Sequence, residues 1–329
     1  MVRWRAAMAA ALYGENGFFV RPGAGPAGHF RTSALASPLF AGALLRLLER
    51  LDAALDRPPE LAVVDVGAGR GELLAALVGA AGPELAGRLR PVAVELAPEP
   101  DGTGTIAWRT APPGPVAGLL LGTEWLDNVP VEVVERDRAG VDRYVLVDPA
   151  TGEEALGEPV AGPDADWLAR WWPLTVPGTR AEIGRTRDKA WAAAVRAVGR
   201  GAALAVDYGH LAGGRPPLGT LTGFRSGREV PPVPDGSCDL TTHVALDAVA
   251  AAPGLAGAVL VRQAAALPAL GVSGARPPLA LARTDPAGYL HRLAAAGAAA
   301  ELTDPAGLGG HWWLLQPVGL AERVARWLA

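Results

Sequence analysis

The residues best suited to bind a ligand are Asp65 and three glycines at alternating positions after it, Gly67, Gly69 and Gly71. The apolar run 61–66 leads into them, and a helix-like apolar pattern follows. This order predicts a buried strand, a tight turn and a helix start. Glycine lets a ligand approach the backbone closely, and a helix start offers unpaired N–H groups to it. The stretch therefore predicts a nucleotide-type pocket.

Spacing and a second carboxylate indicate which nucleotide is bound. A dinucleotide fingerprint needs a small residue three positions after the second glycine, but Glu72 stands there. The next apolar run, 91–95, ends at Glu95, whose carboxylate could accept hydrogen bonds from both ribose hydroxyls. Asp-x-Gly-x-Gly-x-Gly followed by this glutamate resembles motif I and the next acidic position of class I S-adenosylmethionine (SAM) methyltransferases. Taken without Glu95, the glycine pattern is also compatible with a purely structural turn. The presence of Glu95 favours a SAM-binding turn.

Ligands of parallel α/β sheets lie beyond the carboxyl ends of the strands, so the residues that end or follow the other apolar runs are also candidates. Leu96 follows Glu95 directly. Trp108 lies near the end of run 105–109, where it could stack on adenine, although a tryptophan at such a position is more often part of the core. Leu96 and Trp108 are therefore predicted cofactor contacts.

Two acids follow the fourth apolar run, 116–121: Glu124 and Asp127. Their spacing puts them on one face if a helical turn starts there. A pair of carboxylates could hold a guanidinium or take a proton from a nucleophile. The alternative for Asp127 is a turn cap before Pro130. We predict that Glu124 is functional, both at the cofactor and in catalysis, and leave both roles open for Asp127.

Later segments add polar groups at the same edge. Strand 201–207 is followed by Tyr208, and a long loop is expected over 211–236. Asp239 and His243 then come close enough on one turn to act as an acid–base pair, or as a helix cap beside an imidazole. His243 is thus a third catalytic candidate. No second His or Cys lies at ligand spacing, so no metal site is predicted.

Alternating apolar runs and helical segments predict a parallel sheet with right-handed crossovers. A helix is expected over 39–55, a hairpin over 131–148 after the fourth strand, and helices over 164–172 and 184–198. The tail supplies further strands, for a count of seven. The predicted parts are an N-terminal helical extension and lid (1–60), the SAM-binding half of the sheet with the hairpin (61–148), a helical insertion or cover (149–200) and the C-terminal half of the domain (201–329).

Composition narrows the class of protein. The chain has 329 residues, 50% hydrophobic, with a net charge of −4 and no long basic run, which gives no electrostatic footprint for nucleic acid. Cys238 is the single cysteine, which excludes an internal disulfide and fits a reducing compartment. No apolar run reaches membrane-spanning length without charge or proline. The expectation is a cytoplasmic protein that binds neither nucleic acid nor membrane, with a homodimer left open.

Eight segments match one family in their order along the chain: 17–19, 28–33, 65–71, 124–130, 207–209, 219–221, 239–244 and 314–316. Together they resemble the MidA-like SAM-dependent methyltransferases, which include a mitochondrial complex I assembly factor that methylates an arginine. The resemblance implies an α/β class I methyltransferase fold, Rossmann-like with a seven-stranded, mostly parallel sheet. It also implies an N-terminal extension, an inserted covering subdomain, SAM as methyl donor and S-adenosyl-L-homocysteine as product.

Two departures from the family pattern concern the ligand. His29 stands where the family has Asp, which removes an acid from the predicted lid, whereas Asp65-Val66 in place of Glu-Leu is conservative for SAM binding. Segment 28–33 is predicted as a lid over the cofactor, with Thr32 among its contacts. An ordinary turn that caps the next helix is the alternative.

The leading hypothesis is a SAM-dependent methyltransferase whose acceptor is a protein arginine, held by the two acids at 124 and 127. A small-molecule O-, N- or C-nucleophile is the alternative acceptor. A non-catalytic SAM-binding assembly factor is the second class of function, and a dehydrogenase is the weakest.

Overall fold

The computed structural model describes residues 1–21, 37–320 and 324–328. The strands in this part of the chain are β1 (Val2–Arg3), β2 (Leu61–Val66), β3 (Leu89–Val94), β4 (Ala107–Arg109), β5 (Val116–Thr123), β6 (Glu132–Arg136), β7 (Asp142–Val147), β8 (Glu154–Pro159), β9 (Arg180–Ile183), β10 (Val198–Asp207), β11 (Gly209–His210), β12 (Thr222–Arg225), β13 (Arg228–Val230), β14 (Asp239–Thr241), β15 (Val244–Ala245), β16 (Val259–Arg262) and β17 (Trp312–Val318). The α-helices are α1 (Trp4–Tyr13), α2 (Pro38–Ala54), α3 (Glu72–Ala80), α4 (Pro83–Arg88), α5 (Pro163–Trp171), α6 (Arg185–Arg196), α7 (Leu246–Ala251), α8 (Gln263–Ala269), α9 (Leu281–Thr284) and α10 (Pro286–Thr303).

A seven-stranded sheet in the order β16-β17-β10-β5-β2-β3-β4 forms the centre of the molecule. Neighbouring strands from β10 to β4 pair in parallel, and β17 runs antiparallel to both β10 and β16. All six residues of the central strand β2 are buried, as expected for a strand with helices on both faces. The predicted seven-stranded, mostly parallel sheet is confirmed.

Two layers of helices cover this sheet. Helices α2, α3, α8 and α10 contribute to one core cluster, in which Leu44, Leu48 and Leu51 of α2 are fully buried or nearly so. On the other face, Trp191 of α6 and Leu246 of α7 pack in a second cluster. The sheet is thereby held rigid, so that its carboxyl edge can present side chains at fixed positions.

A second sheet has the order β1-β7-β6-β9, with β8 also paired to β7. The antiparallel pair β6 and β7 is the predicted hairpin, in the register Val134 to Tyr144. Strand β1 pairs with β7 through Val2 and Val147, so the N-terminus belongs to the same unit as the insertion. Helix α1 packs on this sheet with Trp4 in the shared core.

The contacts of α6 differ from the predicted division of the chain. The sequence places this helix in a cover over 149–200, whereas its buried side chains pack on the main sheet. Helix α5 does cover the second sheet, where Trp167 and Trp172 pack against Tyr144 and Ile183.

The long loop expected over 211–236 contains regular secondary structure. The segment contains the hairpin β12–β13, whose turn has positive φ at Ser226 (51°) and Gly227 (73°), the backbone that a tight two-residue hairpin requires. Asp239 begins the third strand of the same small sheet, β14. Asp239 and His243 therefore do not share a helical turn, and the helix cap, one of the two alternatives for this pair, is wrong.

None of the helices in the described ranges has the length and apolar content needed to cross a membrane.

Candidate functional site

The turn between β2 and α3 keeps its backbone bare. Gly67, Gly69 and Gly71 have φ values of 74°, 58° and 82°, a region that favours glycine. A Cβ on Gly67 would lie 3.3 Å from Cδ1 of Trp125, and one on Gly71 would lie 3.3 Å from Cζ2 of Trp108. Two tryptophans thus lie against Gly67 and Gly71, where only glycine meets both the steric and the conformational demand. At Gly69 the demand is conformational.

Glu95 connects the ends of β2 and β3. Its Oε2 accepts a hydrogen bond from the Gly69 N–H at 3.0 Å, and its Oε1 accepts from the N–H groups of Leu96 (2.7 Å) and Ala97 (3.2 Å). Hydrogen bonds to an ionised acceptor are the stronger kind. The carboxylate is therefore held in place beside the glycine turn before any ligand arrives.

A cavity of about 770 Å³ opens above these residues. Five of the predicted site residues line it: Gly67, Gly69, Glu95, Leu96 and Glu124. Its volume lies in the upper part of the roughly 300–1,000 Å³ found for small-molecule sites, which leaves room for a nucleoside and a second group. Other lining residues, which sequence analysis did not assign to the site, include Tyr13, Phe19, Arg21, Trp125, Asn128 and Ala194.

Asp65 lies beneath the turn and does not line the cavity. Its side chain is buried, and Oδ1 has no hydrogen-bond partner among the described residues. Burial, together with the charges of Glu95 and Glu72, raises the pKa of this carboxyl to about 8. The structure thus places Asp65 beneath the bare backbone turn with one unsatisfied oxygen, and its predicted contact with the cofactor stays a prediction.

Two further predicted cofactor contacts, Gly71 and Trp108, lie outside the cavity wall. Trp108 is partly buried in the core and packs against Gly71, and neither residue lines the cavity. This placement does not support stacking of Trp108 on adenine, which stays a prediction. Thr32 and the rest of the predicted lid, 28–33, lie outside the described residues.

Glu124 stands at the carboxyl end of β5 with φ of 49°, which is uncommon for a residue other than glycine. Its backbone N–H donates to the Val206 carbonyl at 2.8 Å, which ties the turn to β10. Its Oε1 lies 3.9 Å from Nδ1 of His311. Burial lowers the pKa of His311 to about 4, so this imidazole is neutral near pH 7. The carboxylate of Glu124 is thus placed at the cavity beside an uncharged partner.

Asp127 has other neighbours. It belongs to a 3-10 helix, Leu126–Asn128, where its buried Oδ2 accepts hydrogen bonds from Thr241 Oγ1 (2.7 Å) and from the Tyr208 hydroxyl. The predicted common face with Glu124 is wrong. Glu124 itself has left-handed backbone and precedes the 3-10 helix, so the two carboxylates point toward different partners. Burial raises the pKa of the Asp127 carboxyl. The residue lies behind the cavity and does not line it.

Asp207 supports the same turn from β10. It is fully buried, and its Oδ2 accepts hydrogen bonds from the N–H groups of Leu126 (2.9 Å) and Asp127 (3.3 Å). Burial and the nearby Asp127 charge raise its pKa well above the usual range. Its contacts indicate a structural role for this acid.

Arg187, on α6, is the buried cation of the region. Its guanidinium donates to the carbonyl oxygens of Asp127 (2.6 Å), His243 (2.9 Å) and Val129 (3.3 Å), and to Thr242 Oγ1 (2.6 Å). It joins the turn after β5 to the segment before β15. The sequence offered no signal for it, because an arginine at the start of a polar helix is usually exposed.

His243 is exposed, and its ring lies 5.2 Å from the Tyr208 ring, centroid to centroid. It does not line the cavity. His311, which sequence analysis missed, contacts the same tyrosine at 5.6 Å. The sequence did contain a signal for His311. The last strand is antiparallel to its neighbours, so it begins at the edge where the parallel strands end, and Trp312 pairs with Asp207 there.

Within the described ranges, no group of three or more His, Cys, Asp or Glu side chains is arranged to hold a metal ion.

Comparisons with known proteins support the family and the fold. Residues 41–262 match the model of a family described as "Putative S-adenosyl-L-methionine-dependent methyltransferase". A crystal structure of a COG1565 superfamily member from Burkholderia thailandensis, bound to S-adenosyl-homocysteine, is 26% identical, with a TM-score of 0.78 over 97% of this chain and 88% of its own. A native structure of a COG1565 superfamily protein from the same organism is also 26% identical, with a TM-score of 0.77 over 99% and 89%. No curated protein matches the chain.

Proposed function

Because the chain belongs to this family of SAM-dependent methyltransferases, we propose that it binds SAM in the 770 Å³ cavity and methylates a guanidinium held at Glu124. The single observation that carries the proposal is that one cavity is lined by both the glycine turn with Glu95 and by Glu124. A nucleoside site and a carboxylate able to hold an acceptor thus open into the same space.

The residues present fit the methyl donor. Gly67 and Gly69 leave bare backbone for the methionine part, and Glu95 is already fixed where a ribose could share its oxygens. SAM supplies a methyl group on a positively charged sulfur, which makes the methyl carbon reactive without further activation. The chain therefore has to orient the acceptor, exclude water and accept a proton.

Glu124 is the residue suited to orient the acceptor. A carboxylate can accept two parallel hydrogen bonds from a guanidinium, which fixes the plane of the acceptor nitrogen. It can also take up the proton that the nitrogen releases after methylation. The proposed acceptor is therefore a protein arginine. Because Asp127 and Asp207 are buried away from the cavity, Glu124 is the proposed catalytic acid–base group.

Calorimetry with SAM and S-adenosylhomocysteine tests the pocket. We expect both to bind the wild-type chain, and Gly69→Val to abolish binding because it strains a left-handed position and fills the cavity. Gly82→Val is the matched control, since Gly82 has open surroundings outside the cavity. Normal SAM binding by Gly69→Val would show that the pocket lies elsewhere.

Incubation with tritiated SAM and a cell lysate, followed by mass spectrometry of labelled peptides, tests the acceptor. We expect added methyl groups on arginine, and a loss of about 100-fold or more in Glu124→Gln, in the range for one acid–base group. Glu153→Gln, on an exposed turn, is the control. Label on another residue type or on a small molecule would replace arginine as acceptor, and SAM binding without any transfer would favour a non-catalytic assembly factor.

A further inference from the structure

Tyr13 and Phe19 form a stacked aromatic pair in the cavity wall. Their ring centroids are 5.8 Å apart with an interplanar angle of 27°, and both residues line the cavity. Phe18 packs edge-on against Phe19 at 5.2 Å. The pair belongs to the N-terminal unit and not to the main sheet, and the methyl transfer proposed above assigns it no task.

The backbone fixes the position of this pair. The Phe19 N–H donates to the Leu12 carbonyl at 3.1 Å, and the Tyr13 hydroxyl donates to the Asn128 carbonyl at 3.2 Å. A Cβ on Gly17 would lie only 2.5 Å from the Leu12 carbonyl oxygen, so this close turn requires glycine. The pair is therefore held next to the turn that carries Glu124, on a segment with its own hydrogen bonds.

The charges that the described residues bring to the cavity wall balance. Within this part of the chain, the lining carboxylates are Glu95 and Glu124 and the lining guanidiniums are Arg21 and Arg70. Arg21 also donates to the Gly236 carbonyl. Net charge alone thus gives little preference between a cationic and a neutral ligand. Aromatic faces do favour a cationic ligand over a neutral one, because the ring quadrupole attracts a cation, most strongly where water is excluded.

We propose that the Tyr13–Phe19 pair selects the sulfonium form of the methyl donor over its neutral thioether product. This inference rests on the function proposed above and adds a specificity determinant to the same site. The substrate carries a positive charge on sulfur and the product does not, so an aromatic wall stabilises the bound substrate more than the bound product. The cavity thereby binds substrate in preference to product and releases the product after each turnover.

Calorimetry of Phe19→Leu tests the assignment, since leucine keeps an apolar side chain but removes the aromatic face. The ligands are SAM, S-adenosylhomocysteine and sinefungin, in which a protonated amine replaces the sulfonium. We expect the variant to lose about 3- to 30-fold in affinity for the two cationic ligands, the range of a cation–π contact, and to keep its affinity for S-adenosylhomocysteine. Tyr13→Leu is the second variant, to be used if Phe19→Leu folds poorly, and it is expected to show the same losses. Tyr13→Phe keeps the ring and is expected to preserve the preference for the cationic ligands.

An equal loss for all three ligands, or no loss for any of them in either leucine variant, overturns the inference while leaving the proposed function intact. Failure of the wild-type chain to bind both SAM and S-adenosylhomocysteine overturns the proposed function itself, and this inference with it.

Discussion

Burial separates the acidic residues of this site into two groups: those that can contact a ligand, and those that support the residues lining the cavity. Glu95 and Glu124 line the cavity, whereas Asp65, Asp127 and Asp207 are buried behind it. Burial without full hydrogen bonding favours the neutral form of an acid. The acids behind the cavity are therefore expected to affect stability and its dependence on pH, while the two glutamates are the acids proposed to contact the methyl donor and the acceptor.

Asp65→Asn tests this division through pH. The pKa of the Asp65 carboxyl is raised from 3.8 to about 8 in the folded chain, so the folded state holds a proton that the unfolded state has released between these values. Wild-type stability should therefore fall relative to Asp65→Asn as pH rises from about 4 to 8, by at most about 1.4 kcal/mol per pH unit. Urea unfolding of the ligand-free proteins at several pH values measures it. A pH-independent difference would contradict the raised pKa.

Arg187→Met tests the buried cation. Four oxygen atoms would each lose a hydrogen bond from the guanidinium, and the buried carboxylates nearby would lose a neutralising charge. We expect a loss of about 3–5 kcal/mol in the free energy of unfolding, the range for breaking a buried charged network. Lys189→Met, an exposed position on the same helix, is expected to change it by less than about 0.5 kcal/mol. Equal effects of the two substitutions would remove Arg187 from its supporting role.

The elements explain why the site lies where it does. Strands β2, β3, β5 and β10 are parallel, so their carboxyl ends meet at one edge and bring Gly67, Glu95, Glu124 and Asp207 together. Close approach of the central strands is part of this arrangement. Gly118 of β5 has φ of 151°, and a Cβ there would lie 2.0 Å from the Ala62 carbonyl oxygen of β2.

Gly118→Ala should therefore disturb the central sheet itself. We expect a loss of about 2–4 kcal/mol in the free energy of unfolding, from steric overlap and backbone strain together. Gly114→Ala, with open space around the added methyl group, is the matched control and should be nearly neutral. Thermal and urea unfolding compare the two variants, and similar stabilities would mean that β2 and β5 can separate without cost.

At the scale of the whole molecule, the cavity is shared between two units. The main sheet supplies the glycine turn, Glu95 and Glu124, and the N-terminal segment joined to the second sheet supplies Tyr13 and Phe19. We therefore expect a ligand in the cavity to contact both units and to stabilise their association, since anything that binds only the folded state adds to its stability.

Hydrogen exchange with S-adenosylhomocysteine measures this coupling. At about 100 times its Kd the ligand should add about 2.7 kcal/mol to the free energy of unfolding. We expect slower exchange in residues 13–21 as well as in residues 67–71, 95–97 and 124–130. Gly69→Val with the same ligand is the control and should show no protection. Protection confined to the main sheet would mean that the N-terminal segment does not contact the ligand.

The sequence by itself determined the main sheet and the glycine turn, because their signals are local. The apolar run before Asp65, the glycine spacing and Glu95 at the end of the next run each follow from hydrophobic pattern or backbone geometry. The predicted hairpin and the helix predicted over 164–172 also have such patterns. The structure contains both, the helix as Pro163–Trp171.

Only the tertiary structure decided which acids reach the cavity and which other residues share it. Glu124 and Asp127 look alike in sequence, yet a left-handed backbone and the hydroxyls of Tyr208 and Thr241 separate them. Tyr13 and Asn128 meet across more than a hundred positions. Such contacts depend on how whole elements pack against one another, and neither propensity nor spacing along the chain encodes that packing locally.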